Sequence, residues 1–233
     1  MTSRIRHMLV VGVVGCMLLA GCNPMQEKPT DAAVDYMEDF QLSGTEKDEL
    51  IGTIHPAVYQ TVNRDNVGLE PMSIPVVPKE GEEVQVPTGR YMITGYPVGN
   101  VFIYDEKKEL ILTEIVGSYA GSGSLTVDLD ASYTIRVDGG YESVELTPVP
   151  TILNTESVTT GLWTVGLDIE AGKYEATIEG GYGYLMILEE GEEPLLYELI
   201  GGTVGKSMSR VELKDGQVVR VTKTSNVLLE SIK

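Results

Sequence analysis

The sequence contains few of the residues that build disulfides and metal centres. It has two cysteines and two histidines among 233 residues, and beyond Cys22 it has no cysteine and only one histidine, His55. A metal site with several histidine ligands and a Cys–His catalytic pair both need residues that this composition does not supply. We therefore expect a fold held by packing alone, with no cofactor and no metal site.

Basic residues are also scarce. The chain has 17 lysines and arginines against 35 aspartates and glutamates, which gives a formal net charge of −18. Such an acidic surface repels the phosphate backbone of nucleic acids and the headgroups of anionic lipids. We expect no nucleic-acid partner, and we expect any membrane attachment to use something other than a basic patch.

The apolar stretch near the N-terminus, residues 8–18, is too short to span a bilayer. It follows a basic start that includes Arg4 and Arg6, and it leads directly into Leu19-Ala20-Gly21-Cys22. A basic start, an apolar core and small residues, in that order, are typical of a secretion leader.

Residues 19–22 resemble the lipobox of bacterial lipoproteins. The resemblance implies that a signal peptide, residues 1–21, is removed and that the thiol of Cys22 becomes thioether-linked to diacylglycerol. It also implies that lipid on Cys22 holds the protein at the extracytoplasmic face of a bacterial cell membrane, because several acyl chains anchor stably. An ordinary signal peptide cut at a small-residue site and an N-terminal membrane anchor are the alternatives.

Residues 22–78 form the predicted lipidated tether and N-terminal segment. Apolar residues over 50–62 have helical spacing, and Ser43 with Glu46 resembles a capping box. Pro56 interrupts this spacing. We therefore expect a mostly irregular segment with one or two short helical turns.

An internal repeat determines the expected fold. Residues 86–93 align with 169–176 at an offset of 83, and one extra residue near Tyr182 changes the offset to 84. A single insertion over so long a span indicates duplication. The later matches are 101–105 with 185–189, 114–117 with 198–201, Gly121 with Gly205, 127–129 with 211–213, Arg136-Val137 with Arg220-Val221, and Val144 with Leu228.

We predict an all-β protein of two tandem, small, antiparallel β-sandwich or jelly-roll-like modules related by this duplication. The modules are expected at 79–149 and 161–233, joined by a linker at 150–160, with six or seven short strands in each. Asp215-Gly216 in the second copy and Asp138-Gly139-Gly140 in the first predict β-hairpins. Domains of this size are only marginally stable without disulfides or bound metals. We therefore expect the two copies, or one copy and the N-terminal segment, to pack together.

The stretch 161–174 carries the most distinctive pattern, Val-Gly-x-Asp-Ile-x-Ala-Gly-x-Tyr. It resembles a signature of small β modules in secreted and lipid-anchored proteins of Gram-positive bacteria. Those modules are mostly uncharacterised, so the resemblance implies a fold and a location but no reaction. From the residues themselves, Gly172 is expected to adopt a positive φ in a turn, and Tyr174 to bury its ring with its hydroxyl on a backbone group.

Tyrosine dominates the aromatic residues, with 12 tyrosines against two phenylalanines and one tryptophan. Trp163, Tyr182 and Tyr184 are candidates for a platform on which a sugar ring stacks. The alternative interpretation is that aromatic residues simply suit half-buried strands.

No catalytic set can be assembled from the sequence. It contains neither a Gly-x-Ser-x-Gly nucleophile elbow nor a glycine-rich phosphate loop. The acidic stretch 128–139 begins like a calcium loop, but it has Tyr133 at the sixth position and Gly139 at the twelfth, so it fails that pattern. We expect no enzyme activity and no catalytic residues.

The leading hypothesis is a non-catalytic envelope lipoprotein that binds an unidentified envelope protein or glycan. A structural spacer or assembly subunit of an envelope complex is one alternative. A carboxylate-dependent hydrolase of wall polymers is another, because 35 acidic residues supply candidate pairs.

The lipobox interpretation predicts that Cys22→Ser blocks lipidation and leaves the protein unprocessed or mislocalised, because serine lacks the thiol that forms the thioether. Detergent partitioning of wild type and variant measures this, with Cys16→Ser inside the leader as the matched control that keeps the anchor. Entry of processed Cys22→Ser protein into the detergent phase would contradict the prediction.

Overall fold

The computed structural model describes residues 30–119, 122–154, 156–203 and 206–232. Residues Asp31–Lys233 form one compact unit. The described part of the chain consists of two sheets, two short α-helices and one 3₁₀ turn, so the all-β prediction is confirmed. The predicted signal peptide, Cys22, and the repeat match of Gly121 with Gly205 lie outside the described residues.

The N-terminal segment is short-helical, as the sequence predicts. It contains helix α1 (Asp31–Asp39), strand β1 (Gln41–Leu42), helix α2 (Gly44–Ile51) and a 3₁₀ turn (Pro56–Tyr59). The sequence analysis does not predict helix α1. Ser43 occupies the N-cap of α2, but its side chain makes no capping hydrogen bond, so the predicted capping box does not form.

The strands that follow form two layers. We call the part from β2 to β9 the first half. Its strands pair antiparallel in the orders β2-β9-β4-β7 and β3-β8-β5-β6. The strands are β2 (Met72–Ile74), β3 (Glu82–Val84), β4 (Gly89–Tyr96), β5 (Val98–Tyr104), β6 (Leu110–Gly117), β7 (Leu125–Leu129), β8 (Thr134–Asp138) and β9 (Ser143–Pro148).

The second half, from β10 to β15, repeats this pairing with fewer but longer strands. The end of β10 and the beginning of β15 pair in the layer that contains β12 and β13, whereas the opposite ends pair in the layer that contains β11 and β14. The strands are β10 (Ser157–Thr164), β11 (Gly172–Thr177), β12 (Gly181–Leu188), β13 (Leu195–Gly201), β14 (Ser209–Leu213) and β15 (Val218–Ser231).

Register and side-chain bonding agree between the halves. Tyr91 lies opposite Val127 in the first half, and Tyr174 lies opposite Val211 in the second. Each tyrosine is buried and donates its hydroxyl to the backbone carbonyl four residues earlier, at 2.9 Å in both cases. The expected burial of Tyr174 with its hydroxyl on the backbone is therefore confirmed.

Two predicted hairpins are wrong. Asp215-Gly216 forms a turn in which Gly216 has φ +87°, but β14 pairs with β11 and β15 pairs with β10, β11 and β12. Gly139-Gly140 likewise separates β8 from β9, which belong to different sheets. Turn chemistry is local and is correctly read from the sequence, whereas the partner of each strand is decided by which layer buries it.

Two further details differ from expectation. Gly172 is the first residue of β11 and does not have a positive φ, so the predicted turn conformation is wrong; a Cβ there would meet the Tyr174 ring at 3.5 Å, an ordinary contact, so space does not require the glycine either. Leu146 pairs with β4 in the first half at the position where Leu229 pairs with β11 in the second half. These two leucines are 83 residues apart, so the repeat offset in the last strands is 83 rather than 84. Val144 therefore corresponds to Val227 rather than Leu228.

The apolar core has two clusters that divide unevenly between the halves. One cluster occupies the interior of the second half. The other fills the first half and extends to Met186, Leu188 and Leu196, which lie on the outer face of the second half, and to Leu42 and Val58 of the N-terminal segment. The first half and the N-terminal segment therefore share a core with the outer face of β12 and β13, as expected for small units that have no disulfide or metal to stabilise them.

The last four residues of the predicted linker, 157–160, belong to β10. Gly161 then lies beside Thr126 of β7 in a short parallel bridge between the halves. The φ of Gly161 is +150°, and a Cβ at this position would overlap the carbonyl oxygen of Thr126.

A buried ionic network connects the N-terminal segment and both halves. Arg64 bonds to Asp128 at 2.6 Å and to Asp168 at 2.9 Å, and Arg90 bonds to Asp128 at 2.8 Å and lies 3.4 Å from Asp168. The side chains of Arg90 and Asp168 are each 1% exposed. Burial lowers the pKa of Arg64, but the hydrogen bonds and charge of Asp128 outweigh it and raise that pKa above its usual value. We call these four residues the junction network.

The junction network also accounts for part of the distinctive 161–174 pattern. The carboxylate of Asp168 accepts the backbone N–H of Thr164 at 2.8 Å as well as the Arg64 guanidinium. The guanidinium of Arg90 lies 4.8 Å from the ring centroid of Trp163 and donates to the carbonyl of Leu162. Residues of this pattern thus stabilise a turn and also a contact between the two halves.

We expect Asp168→Asn to lower the free energy of unfolding by about 3–5 kcal/mol, because it leaves two buried guanidinium groups with a single carboxylate. Chemical denaturation of the full chain measures the change. Glu212→Gln is the control: Glu212 stands opposite Lys173 as Asp128 stands opposite Arg90, but it is exposed. Its effect should stay within about 0.5 kcal/mol; equal effects of both substitutions would contradict the prediction.

Gly161→Ala should also destabilise the fold, by about 1–3 kcal/mol from backbone strain alone, with steric overlap added to it. Thermal unfolding compares it with Gly180→Ala, where an added Cβ meets nothing within 4 Å and φ is not positive. A melting temperature of Gly161→Ala equal to that of Gly180→Ala would show that the inter-half bridge tolerates a side chain.

Candidate functional site

A cleft of about 1070 Å³ lies between the two halves. Its floor is the outer face of β12 and of the beginning of β15, and one wall is β6 of the first half. Leu50 of α2 closes part of the rim. We call this space the cleft; its volume is slightly above that of typical small-molecule sites, roughly 300–1000 Å³.

Tyrosines are prominent in the cleft. Tyr182 and Tyr119 are 58% and 76% exposed, which is unusual for large aromatic side chains on strands and turns. Tyr184 is half-buried beside them, and the Lys223 ammonium lies 5.2 Å from its ring centroid. Burial, and after it the charge of Glu198, raises the pKa of Tyr184. Alternate positions on β12 place Tyr182 and Tyr184 on the same face.

Trp163 is not part of this group. It is 8% exposed, belongs to the interior cluster of the second half, and donates its indole N–H to the carbonyl of Thr159 at 2.8 Å. The guanidinium of Arg90 covers its ring. The structure therefore brings together two of the three sequence-predicted aromatic residues, Tyr182 and Tyr184, and places the third in the core.

Four charged side chains that the sequence analysis did not single out as site residues line the cleft: Glu114, Glu179, Arg220 and Lys223. Glu114 is 7% exposed, and its carboxylate accepts hydrogen bonds from the hydroxyls of Ser122 and Thr222. Arg220 lies opposite Met186 on the cleft floor. The repeat alignment matched Arg136 with Arg220, but nothing in that match indicated which copy would face a cleft.

The cleft lining, taken over the described residues, contains hydroxyls, tyrosines, carboxylates and two cations but neither histidine nor cysteine. The carboxylate of Glu114 is occupied by hydroxyl donors and by the backbone N–H of Ile115. A general base needs an accessible lone pair aimed at a substrate proton. Glu114 is therefore a poor candidate for a general base, whereas Glu179, which also lines the cleft, is exposed.

A second polar group lies at the other side of the first half. Nε2 of His55 is 3.6 Å from Oδ2 of Asp105 and 3.7 Å from Oε2 of Glu109. Nδ1 of the same ring accepts the backbone N–H of Ala57, so the neutral ring carries its proton on Nε2, facing the carboxylates. A histidine that ligates a metal through Nε2 donates its other N–H instead. The group therefore fits a contact between the N-terminal segment and the first half better than a metal site.

No protein-family model matches the sequence, and no curated protein sequence does. Among the described residues, none of the helices has the length and apolar character that crossing a membrane requires. The site is therefore interpreted from its own geometry.

Proposed function

We propose that the protein is a non-catalytic lipoprotein of a bacterial cell envelope that binds a glycan in the cleft. The observation that supports this most is the pair of exposed tyrosines, Tyr119 and Tyr182, at a concave site of about 1070 Å³. Exposed aromatic rings in a cleft present flat apolar faces to a ligand, and the hydroxyls and amides around them supply hydrogen bonds.

The alternatives are less well supported by the same residues. A structural spacer has no need to keep Tyr182 exposed in a cleft. A wall-polymer hydrolase needs a free carboxylic acid and a second carboxylate; Glu179 is exposed in the cleft, but Glu114 is engaged by Ser122 and Thr222. A protein partner is compatible with the cleft, but its concave shape with exposed tyrosine rings fits a sugar chain better.

We also infer that the two halves are duplicated jelly-roll units. The strand order of the first half, β2-β9-β4-β7 over β3-β8-β5-β6, places eight strands in two layers with crossovers between them, as in a jelly roll. The second half uses the same pairings with β10 and β15 each spanning both layers. The equivalent bonds of Tyr91 and Tyr174 support a common origin.

The proposed location follows from residues 19–22 and from charge. A chain of net charge −18 gains nothing from an anionic membrane surface, so a lipid on Cys22 supplies the attachment. The signal peptide of residues 1–21 directs the protein to the extracytoplasmic face, where envelope glycans are accessible.

Tyr182→Ala should weaken glycan binding about tenfold, because a stacked ring contributes about 0.5–1.5 kcal/mol beyond its buried area. The full-length lipidated protein in detergent is tested against immobilised oligosaccharides, neutral and acidic. Tyr104→Ala is the control, since Tyr104 stacks on Phe102 at 6.3 Å and does not line the cleft. Equal binding by both variants would place the glycan elsewhere, and binding to none of the oligosaccharides by wild type would overturn the proposed function.

A further inference from the structure

Arg220 and its counterpart in the first half have different partners. Arg136 forms an ion pair with Asp138 at 2.9 Å, and its guanidinium lies 5.6 Å from the ring centroid of Phe102. At the same offset of 84, the residue that corresponds to Asp138 is Thr222. The second half therefore keeps the arginine but replaces the aspartate that neutralises it.

The surroundings of Arg220 leave most of its donors without a protein acceptor. Within the described ranges, its one hydrogen bond goes to the carbonyl of Thr113, at 3.5 Å, and no carboxylate lies within 4.0 Å of its nitrogens. Burial lowers the pKa of Arg220 and the charge of Glu114 opposes this, but a guanidinium stays protonated in proteins. Glu114 itself is bonded to Ser122 and Thr222.

A guanidinium presents five N–H donors in a planar fork that matches a carboxylate in two places at once. Arg220 lies on the same floor as Tyr184, since Tyr184 pairs with Thr222 and Met186 pairs with Arg220 in the register of β12 and β15. Arg220 is therefore two positions from Tyr184 and four from Tyr182 along one face of one sheet.

We propose that the cleft binds an acidic sugar, with its carboxylate on Arg220 and its ring against Tyr182 and Tyr184. This inference rests on the proposed function, because it names the class of glycan that the same cleft takes. Arg220 acts here as the residue that determines specificity.

Charge complementarity favours a ligand with one acidic group over a polyanion. Glu114 and Glu179 line the cleft together with Arg220 and Lys223, and the chain as a whole carries a net charge of −18. Charges of a polyanion that lie beyond the contact with Arg220 meet this acidic surface and are repelled. A neutral sugar body with one acidic group gains the Arg220 contact at the smallest electrostatic cost.

The test uses two probes that differ in one charge: a trisaccharide with a terminal glucuronic acid, and the methyl ester of the same trisaccharide. We expect the full-length lipidated protein in detergent to bind the acid about tenfold more tightly than the ester, the size of one charge-assisted hydrogen bond. Arg220→Gln should reduce this preference to less than about twofold. Titration calorimetry measures both affinities.

Arg136→Gln is the matched control, because it removes the corresponding arginine from the half that lacks a cleft there. It should keep the full preference, and thermal unfolding of both variants verifies that they are folded. Equal binding of acid and ester by wild type, with both weakened by Tyr182→Ala, overturns the acidic-sugar inference and leaves the glycan proposal standing. Retention of the preference in Arg220→Gln also overturns the inference. Competition by inorganic phosphate at the concentration of the acid would show that the cation site takes any anion, and binding of neither sugar would overturn both proposals.

Discussion

Two arginines and two aspartates meet where the N-terminal segment and the two halves join, and their pairing depends on all three parts being in place. Arg64 comes from the N-terminal segment, Arg90 and Asp128 from the first half, and Asp168 from the second. Buried ion pairs add little net stability, but a buried charge that loses its partner is expensive. The junction network therefore disfavours arrangements in which one part is displaced. The mutual orientation of the halves, and hence the shape of the cleft, depends on this constraint.

The N-terminal segment has a structural task beyond linking the chain to its proposed anchor. It contributes β1 to the edge of β13, and Tyr36 of α1 donates to Glu198 at 2.6 Å. It also covers apolar residues on the outer face of the second half, including Met186 and Leu196. Where this cover ends, the same face becomes the floor of the cleft. One part of this sheet face is thus buried in the core, and another part is the floor of the proposed binding site.

The proposed duplication places each pair of matched residues in different surroundings. Arg90 and Asp128 face each other across β4 and β7 and are buried, because the second half docks on them, whereas Lys173 and Glu212 hold the matching positions at an exposed surface. Arg136 retains its aspartate, but Arg220 has Thr222 at the corresponding position and lines the cleft. Contact between two similar units makes their surfaces unequal, and the proposed binding site uses that inequality.

The alternation of apolar residues and the turn chemistry by themselves determined that the chain is all-β and that the strands are interrupted at Gly139-Gly140 and Asp215-Gly216. These features depend on neighbours along the chain. Only the tertiary structure decided that these turns join different layers, that Trp163 is buried whereas Tyr182 is exposed, and that Arg220 faces a cleft. All three depend on what packs against each sheet face. Residues far apart in sequence supply that packing, so no local pattern carries the information.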